Sequence, residues 1–359
     1  MRVRTWGRSI VNRAQALLAL SALAVASSAA GQDLSSWEVV VPGGSGPDLR
    51  GICYGNGMFV AVGDQGSVAT SSDGQSWVNR TSGVSESLAA VAWSGSVFVA
   101  VGQGTIVVST DGASWIDVSD QVPPGDIVED ILWDGTRFVA VGGENLVLTS
   151  TDGLLWVAHP MTLDTGTLHC VALVGNTHVA AFIPDLPPPI DSYFLYGSPE
   201  GGWSVVGTPQ FCPGVIESIA VGQGLALAVG WPFYGGGPAY RLVYSSTDGE
   251  EWTLHDDGTA REYYAAIWPA DRFFVAGTGG IDSTVDAVSW EHQPLGGDAR
   301  LLGLAWNGQC LVAVGEGGII ARACRASVEQ GIPTAGRAGL AVMCLLMAGI
   351  AISIIRRIR

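Results

Sequence analysis

The sequence predicts an all-β fold, a seven-bladed β-propeller closed by its own N-terminal strand, with a C-terminal transmembrane helix appended. Three observations carry this. A strand written FVAVG, or a close variant of it, returns seven times, at Phe59, Phe98, Phe138, His178, Leu225, Phe273 and Leu311, about forty residues apart and nearly fifty where loops are inserted. Four stretches, TSSDGQSW, VSTDGASW, TSTDGLLW and YSSTDGEEW, spell one turn over and over. The last copy of the repeat lacks its closing strand, and a matching strand stands unused at the front. Repeating four-stranded units of this length are the signature of propeller blades.

Taken in chain order, residues 1–30 read as an export signal. Arg2, Arg4, Arg8 and Arg13 make a basic start, an apolar run follows from Ala14 to Ala26, and Ser28-Ala29-Ala30 supplies the small residues of a cleavage site. The mature chain is expected to begin near Gly31.

The propeller is expected over residues 35–326. Its clearest copy, Asp130 to His159, reads as four short strands, Ile131 to Trp133, Arg137 to Val141, Leu146 to Ser150 and Leu155 to Ala158, separated by Gly and Asp as tight hairpins require. The seventh copy runs out after Ile319-Ile320-Ala321, and LSSWEVV, Leu34 to Val40, matches the missing strand. Pairing of that strand in the last blade closes the ring and removes both free edges.

The repeated turn falls between the third and fourth strands of a blade. Its aspartates, Asp73, Asp111, Asp152 and Asp248, can accept hydrogen bonds from the N–H groups of the turn, and Gly74, Gly112, Gly153 and Gly249 supply a positive φ. Trp77, Trp115, Trp156 and Trp252 can then pack between neighbouring blades. The repetition argues for architecture, since one active site does not need the same carboxylate in every blade. Two further copies, SPEGGW at Ser198 and STVDAVSW at Ser283, read as decayed. These residues resemble the Asp-box, or BNR, repeat, with glycine one place early. The chain is similar overall to seven-bladed propellers of the photosystem II stability and assembly factor type, which implies a binding or assembly role without catalysis.

The Asp-box likeness also raises sialidase-like glycoside hydrolysis as the alternative. That family needs three arginines gripping a carboxylate, a tyrosine with a glutamate, and an acid aspartate. The stretch DDGTAREYY places Arg261, Glu262 and Tyr263 together, but adjacent strand residues face opposite sides. Three arginines converging on the central channel would favour the enzyme, and their absence the scaffold. No catalytic residue is assigned, and no HExxH, GxSxG or P-loop pattern is present. His169 and His178 lie on strands and read as packed or edge residues.

Two long insertions, Ile183 to Phe194 and Trp231 to Tyr240, lie in consecutive blades between the second and third strands, on the face opposite the aspartate turns. With the linkers they cluster Trp231, Phe233, Tyr234, Tyr263 and Tyr264, beside Pro187 and Pro188 and rimmed by Asp185, Asp191, Asp256 and Asp257, as a candidate binding face. An aromatic centre with an acidic rim suits a protein segment or a neutral glycan.

Six cysteines in an exported chain permit disulfides, and none sits in a CxxC pair or at zinc-site spacing, so no metal or other cofactor is expected. Cys310 and Cys324 lie symmetrically about Gly317 in a predicted hairpin and should be bonded. Cys170 with Cys212 is a second possible pair, Cys53 is left over, and Cys344 falls in the membrane run.

Residues 327–337 form a linker, 338–355 an apolar helix of roughly 27 Å at about 1.5 Å per residue, and 356–359 a basic tail with Arg356, Arg357 and Arg359. The positive-inside rule then holds the tail in the cytoplasm. Ile332-Pro333-Thr334, an apolar helix and an arginine cluster resemble the IPTL-type sorting signals of Gram-negative bacteria, with Ala335 and Ala338 in place of the usual leucine and tryptophan. That resemblance implies an exosortase-like membrane protease as a partner and a cell-surface or periplasmic location.

Charge bounds the remaining partners. There is no lysine, and between the leader and Arg337 nine arginines face all 33 acids. Such a surface repels phosphate backbones, so nucleic acid is excluded as a partner class.

Overall fold

The computed structural model describes residue 34 and residues 36–325, apart from 162, 164, 186–191, 207–213, 233–240, 257–258, 260 and 299. The leader at 1–30 and the linker, apolar run and basic tail at 327–359 lie outside the described residues. Among those described, no helix is long and apolar enough to cross a membrane.

Short apolar strands punctuated by Gly, Asp and Asn build seven four-stranded antiparallel meanders. β1 (Trp37–Val41) comes first in the chain. Blade one is β2 (Leu49–Gly55), β3 (Met58–Gly63), β4 (Ser67–Ser71) and β5 (Val78–Thr81); blade two is β6 (Leu88–Trp93), β7 (Phe98–Gly102), β8 (Thr105–Ser109) and β9 (Ile116–Asp117). Blade three is β10 (Val128–Trp133), β11 (Phe138–Gly142), β12 (Val147–Ser150) and β13 (Val157–Ala158); blade four is β14 (Gly166–Val174), β15 (Thr177–Pro184), β16 (Tyr193–Ser198) and β17 (Gly202–Val205). Blade five is β18 (Gly214–Gly222), β19 (Leu225–Pro232), β20 (Leu242–Ser246) and β21 (Thr253–Leu254); blade six is β22 (Tyr263–Ile267), β23 (Phe273–Gly277), β24 (Gly280–Thr284) and β25 (Glu291–Pro294). Blade seven, β26 (Leu301–Trp306), β27 (Cys310–Gly315) and β28 (Ile320–Cys324), takes β1 as its fourth strand.

The innermost strands β2, β6, β10, β14, β18, β22 and β26 pack side by side around the axis, and β26 meets β2. β1 closes the ring as the sequence predicts, with Trp37 opposite Ala323 and Val39 opposite Ala321. Arg322 ties the seam, pairing with Glu38 of β1 and donating to the Asp73 carbonyl of blade one at 3.1 Å. In the β27–β28 hairpin, Cys310 stands opposite Cys324 and the two are bonded, while Gly317 takes φ +63 in the turn between them. Among the described residues Cys53 and Cys170 carry no disulfide; Cys212, the expected partner of Cys170, and Cys344 lie outside them.

The hydrophobic core is seven interblade layers rather than one centre. In each, the second and third strands supply fully buried aliphatic residues, such as Val99, Val101, Ala140 and Leu148 between blades two and three. The turn tryptophans reach into these layers: Trp77 lies against blade seven, Trp115 against blade one and Trp156 against blade two. Trp252 packs against blade four and stacks on Phe194 at 4.1 Å.

The aspartate turn has one geometry wherever it occurs. Asp73 Oδ1 accepts the N–H groups of Gln75 and Ser76 at 2.8 Å each, Ser71 Oγ accepts that of Gly74 at 2.8 Å, and Trp77 Nε1 donates to the Gly74 carbonyl at 3.1 Å. Asp111, Asp152 and Asp248 repeat these bonds with Gly112, Gly153 and Gly249 and with Trp115, Trp156 and Trp252. Those backbone donors hold the Asp73 and Asp111 carboxyls down to about 2. Blade six corrects the reading of decay: Asp286 accepts from Val288 and Ser289, and Trp290 donates to the Ala287 carbonyl. Ala287 takes φ +63 where other blades have glycine, so the turn survives at the cost of local strain. Blade four has lost the aspartate of the turn and keeps only the bond from the Gly201 N–H to Ser198 Oγ, at 2.9 Å. There His178 occupies the place of the repeated phenylalanine, buried against Trp203 and 3.3 Å from Asp134 of blade three.

Candidate functional site

One irregularity recurs at the same place in all seven innermost strands. At or near the start of each strand stands a buried residue, Leu49, Leu88, Val128, Leu168, Ile216, Tyr263 or Leu301, and directly after it the pairing register slips by one. The extra residue of such a bulge is unpaired and re-aimed. In blade order these residues are Arg50, Ala89, Glu129, His169, Glu217, Tyr264 and Leu302. The frame repeats around the ring while the chemistry at this position differs in every blade but for the two glutamates.

Six of the seven, all but His169, line a central cavity of about 670 Å³. Its walls also include Asp48, Asp130, Trp231, Glu262, Arg300 and Glu316, over an apolar floor with Ile52, Val91 and Leu304. Innermost strands begin on the face where second-to-third-strand loops and interblade linkers emerge, so the mouth opens there and the aspartate turns lie on the opposite face.

Electrostatics divide the cavity into sectors. On one side Arg50 is clamped by Asp64, at 2.6 and 3.3 Å, which raises the guanidinium further and holds the Asp64 carboxyl below its usual range. Arg300 lies 3.7 Å from Glu262 and 3.5 Å from Glu316, with its guanidinium 5.7 Å from the Tyr264 ring centre. Tyr264 donates its hydroxyl to Glu262 at 2.7 Å, and burial and that carboxylate push the phenol up. Asp48 accepts the Gly317 N–H at 2.7 Å, and Asp130 accepts those of Ile131 and Val171, stitching blade three to blade four.

Across the ring the carboxylates are less well served. Glu217 accepts the Trp231 indole N–H at 2.6 Å, yet burial pushes its carboxyl up to about 7. Burial also raises Glu129, against the opposing pull of Arg50. His169 takes the bulge position between them, and burial brings its imidazole down to about 4, leaving it neutral at physiological pH.

The residues of the candidate binding face predicted from sequence do not share one environment. Trp231 and Tyr264 are both in the cavity wall, and Asp185 and Asp256 are exposed. Phe233, Tyr234, Pro187, Pro188, Asp191 and Asp257 lie outside the described residues. Tyr263 is a correction. It is 2% exposed, since it holds the buried position preceding the bulge, and its hydroxyl donates to the buried Asp282 inside blade six. Asp282 replaces the core residue that Ala69, Val107 or Leu148 provides elsewhere, and His292 at 2.5 Å and Arg261 at 3.5 Å join it there. Arg241, also buried, lies 4.7 Å from the Trp290 ring centre. Among the described residues the cavity thus holds two arginines, each bound by acids, and the three-arginine grip of a sialidase is not assembled.

Sequence reasoning passed over the bulge ring. The signal was available: aligned on the residue that precedes each bulge, the next position varies among arginine, alanine, glutamate, histidine, tyrosine and leucine.

No family model matches this chain, and no curated protein matches it. Solved structures share the fold. YCF48 from Cyanidioschyzon merolae is 18% identical, with a TM-score of 0.62 over 82% of this chain and all of that one. YCF48 bound to D1 peptide is 15% identical, with a TM-score of 0.61 over 80% of this chain and 96% of that one. A catalytically inactive virginiamycin B lyase from Staphylococcus aureus, with quinupristin, is 12% identical, with a TM-score of 0.61 over 80% and 99% of the two chains. At these identities the likeness extends to the fold alone.

Proposed function

We propose that this protein is an exported, membrane-anchored propeller that acts as a non-catalytic binding or assembly scaffold, holding a protein segment at the mouth of its central cavity. The observation that carries the reading is the bulge ring: seven blades built alike present side chains of different chemistry to one 670 Å³ cavity. A cavity of that size takes a few side chains of a segment rather than a domain. Its two arginines are held by Asp64, Glu262 and Glu316, so neither is poised to grip a free carboxylate. That arrangement favours the scaffold over sialidase-like hydrolysis. The structural likeness to YCF48 bound to D1 peptide supports a protein segment over a neutral glycan. Export and anchoring rest on residues 1–30, on the apolar run 338–355 and on the IPT-type signal before it, which makes an exosortase-like protease the expected processing partner.

Site-specific photo-crosslinking tests the binding role. A benzophenone side chain at Leu302, in the cavity, is expected to trap a discrete protein adduct in cells, whereas one at Val157, exposed on the outer edge, is not. No adduct from Leu302, or the same adducts from both positions, rejects the reading. For the anchor, fractionation should place the chain in membranes, and the intact mass of that form separates a retained helix from one cleaved near Thr334; a soluble full-length chain rejects both.

A further inference from the structure

We infer that the segment seated in the cavity enters with one organic cation, a guanidinium or ammonium group, which sits between Glu129 of blade three and Glu217 of blade five. This rests on the reading that the cavity holds a protein segment, and it names the chemistry that the segment must bring.

The acids of the cavity differ in the partners they already have. Glu262 and Glu316 share Arg300. Asp48 and Asp130 accept backbone N–H groups. Glu217 has a single indole N–H, from Trp231. Glu129 has no hydrogen bond or ion pair to its carboxylate among the described residues, and the one cation acting on it through space, Arg50, is itself clamped by Asp64. A carboxylate can accept about four hydrogen bonds, so most of the capacity of this pair is unfilled.

Removing carboxylates from water with so few partners is costly, and both glutamates respond by holding their protons more tightly. The fold keeps that cost although isosteric glutamine would remove it, as expected where a ligand supplies the missing charge. His169, between the two on the ring, is neutral at physiological pH and offers no competing cation. A divalent metal suits the pair less well: among the described residues no three His, Cys, Asp or Glu side chains come together as a coordination shell would need. One organic cation with several N–H donors fits two carboxylates and the indole wall of Trp231 beside them.

The test uses the full chain and two seven-residue glycine–serine peptides, one with a central arginine and one with citrulline, which keeps the shape and removes the charge. Titration calorimetry at pH 7.5 and low salt is expected to show the arginine peptide binding at least about tenfold more tightly than the citrulline peptide. Glu129→Gln and Glu217→Gln should each weaken the arginine peptide about tenfold, while Glu251→Gln, on the opposite face, leaves it unchanged. Because glutamine keeps the side-chain shape, a melting temperature no lower than the parent's certifies the fold. Equal binding of the two peptides, or glutamine variants that keep the parent's affinity for arginine, overturns the cation subsite. Absence of binding by either peptide overturns it as well. In each case the adduct from Leu302 reports independently on whether the cavity holds a segment at all.

Discussion

Replacing Glu217 by glutamine should stabilise the protein at alkaline pH and leave it nearly unchanged in mild acid. The carboxyl sits at about 7 in the folded chain against an ordinary 4.5, chiefly because burial disfavours its charge. A group raised in this way contributes stability that is present below the unfolded value and lost as pH rises through the folded one. Two and a half units at about 1.36 kcal/mol each set a ceiling of roughly 3 kcal/mol for that loss. Glu217 faces the cavity and keeps some access to water, so a gain of about 1–2 kcal/mol is expected from Glu217→Gln above pH 8. The Trp231 N–H keeps its acceptor, because glutamine retains the Oε1 oxygen. For a domain of this size, that is a rise in Tm of about 2–4 °C. Melting curves at pH 4.5 and pH 8.5 read it out, with the variant and parent nearly coincident at the lower pH. A gain of the same size at both pH values, or a loss at pH 8.5, would refute the burial argument and with it the cost on which the cation subsite depends.

Gly153→Ala places a methyl 2.7 Å from Val99 Cγ2 at φ +78, and a net loss of about 2 kcal/mol is expected in denaturant titration. Gly175→Ala, also at positive φ but with open space around it, should cost about half as much, and equal losses would show that the interblade contact is not what matters. Breaking the Cys310–Cys324 bond, which spans 14 residues, should lower stability by about 3 kcal/mol, read as the difference between melting with and without reductant. The lowered carboxyls of Asp73 and Asp111 contribute stability that is present above pH 3.8 and fades as pH falls towards 2; Asp111→Asn should flatten that acid limb of the melting profile. Deleting Trp37–Val41 uncovers the edge of β28 and should drive aggregation in light scattering, whereas a monomer with an unchanged Tm contradicts the closure.

Blade count, ring closure, the turn geometry and the Cys310–Cys324 register were legible because each depends on local chemistry written several times over. A glycine needed for positive φ, a tryptophan four places after an aspartate, or two cysteines equidistant from Gly317 can be read without knowing what lies beside them. Tyr263 was not legible in the same way. Aromatic content and a position in a linker suggested exposure, but its fate follows from strand register, which puts it in the buried place that Leu49 or Ile216 fills elsewhere. Blade six misled for a related reason. The glycine was missing, yet the carboxylate and the indole of the turn tolerate one strained Ala287.

The cavity chemistry was hidden by the same regularity that disclosed the fold. Side chains between blades must fill a fixed volume at crystal-like density, which is why the second strands read almost alike in blade after blade. In six of the seven innermost strands the bulge frees one residue from that constraint by turning it towards the central cavity; His169 is the exception. Such a position can change from alanine to glutamate or arginine without disturbing the packing that holds the ring together. Selection on binding can therefore act there nearly independently of selection on folding. In a propeller of near-identical blades, the residues that distinguish one ligand from another are those that break the repeat. Here the largest departure is the pair Glu129 and Glu217, in blades three and five, set against a sector where both cavity arginines are already held.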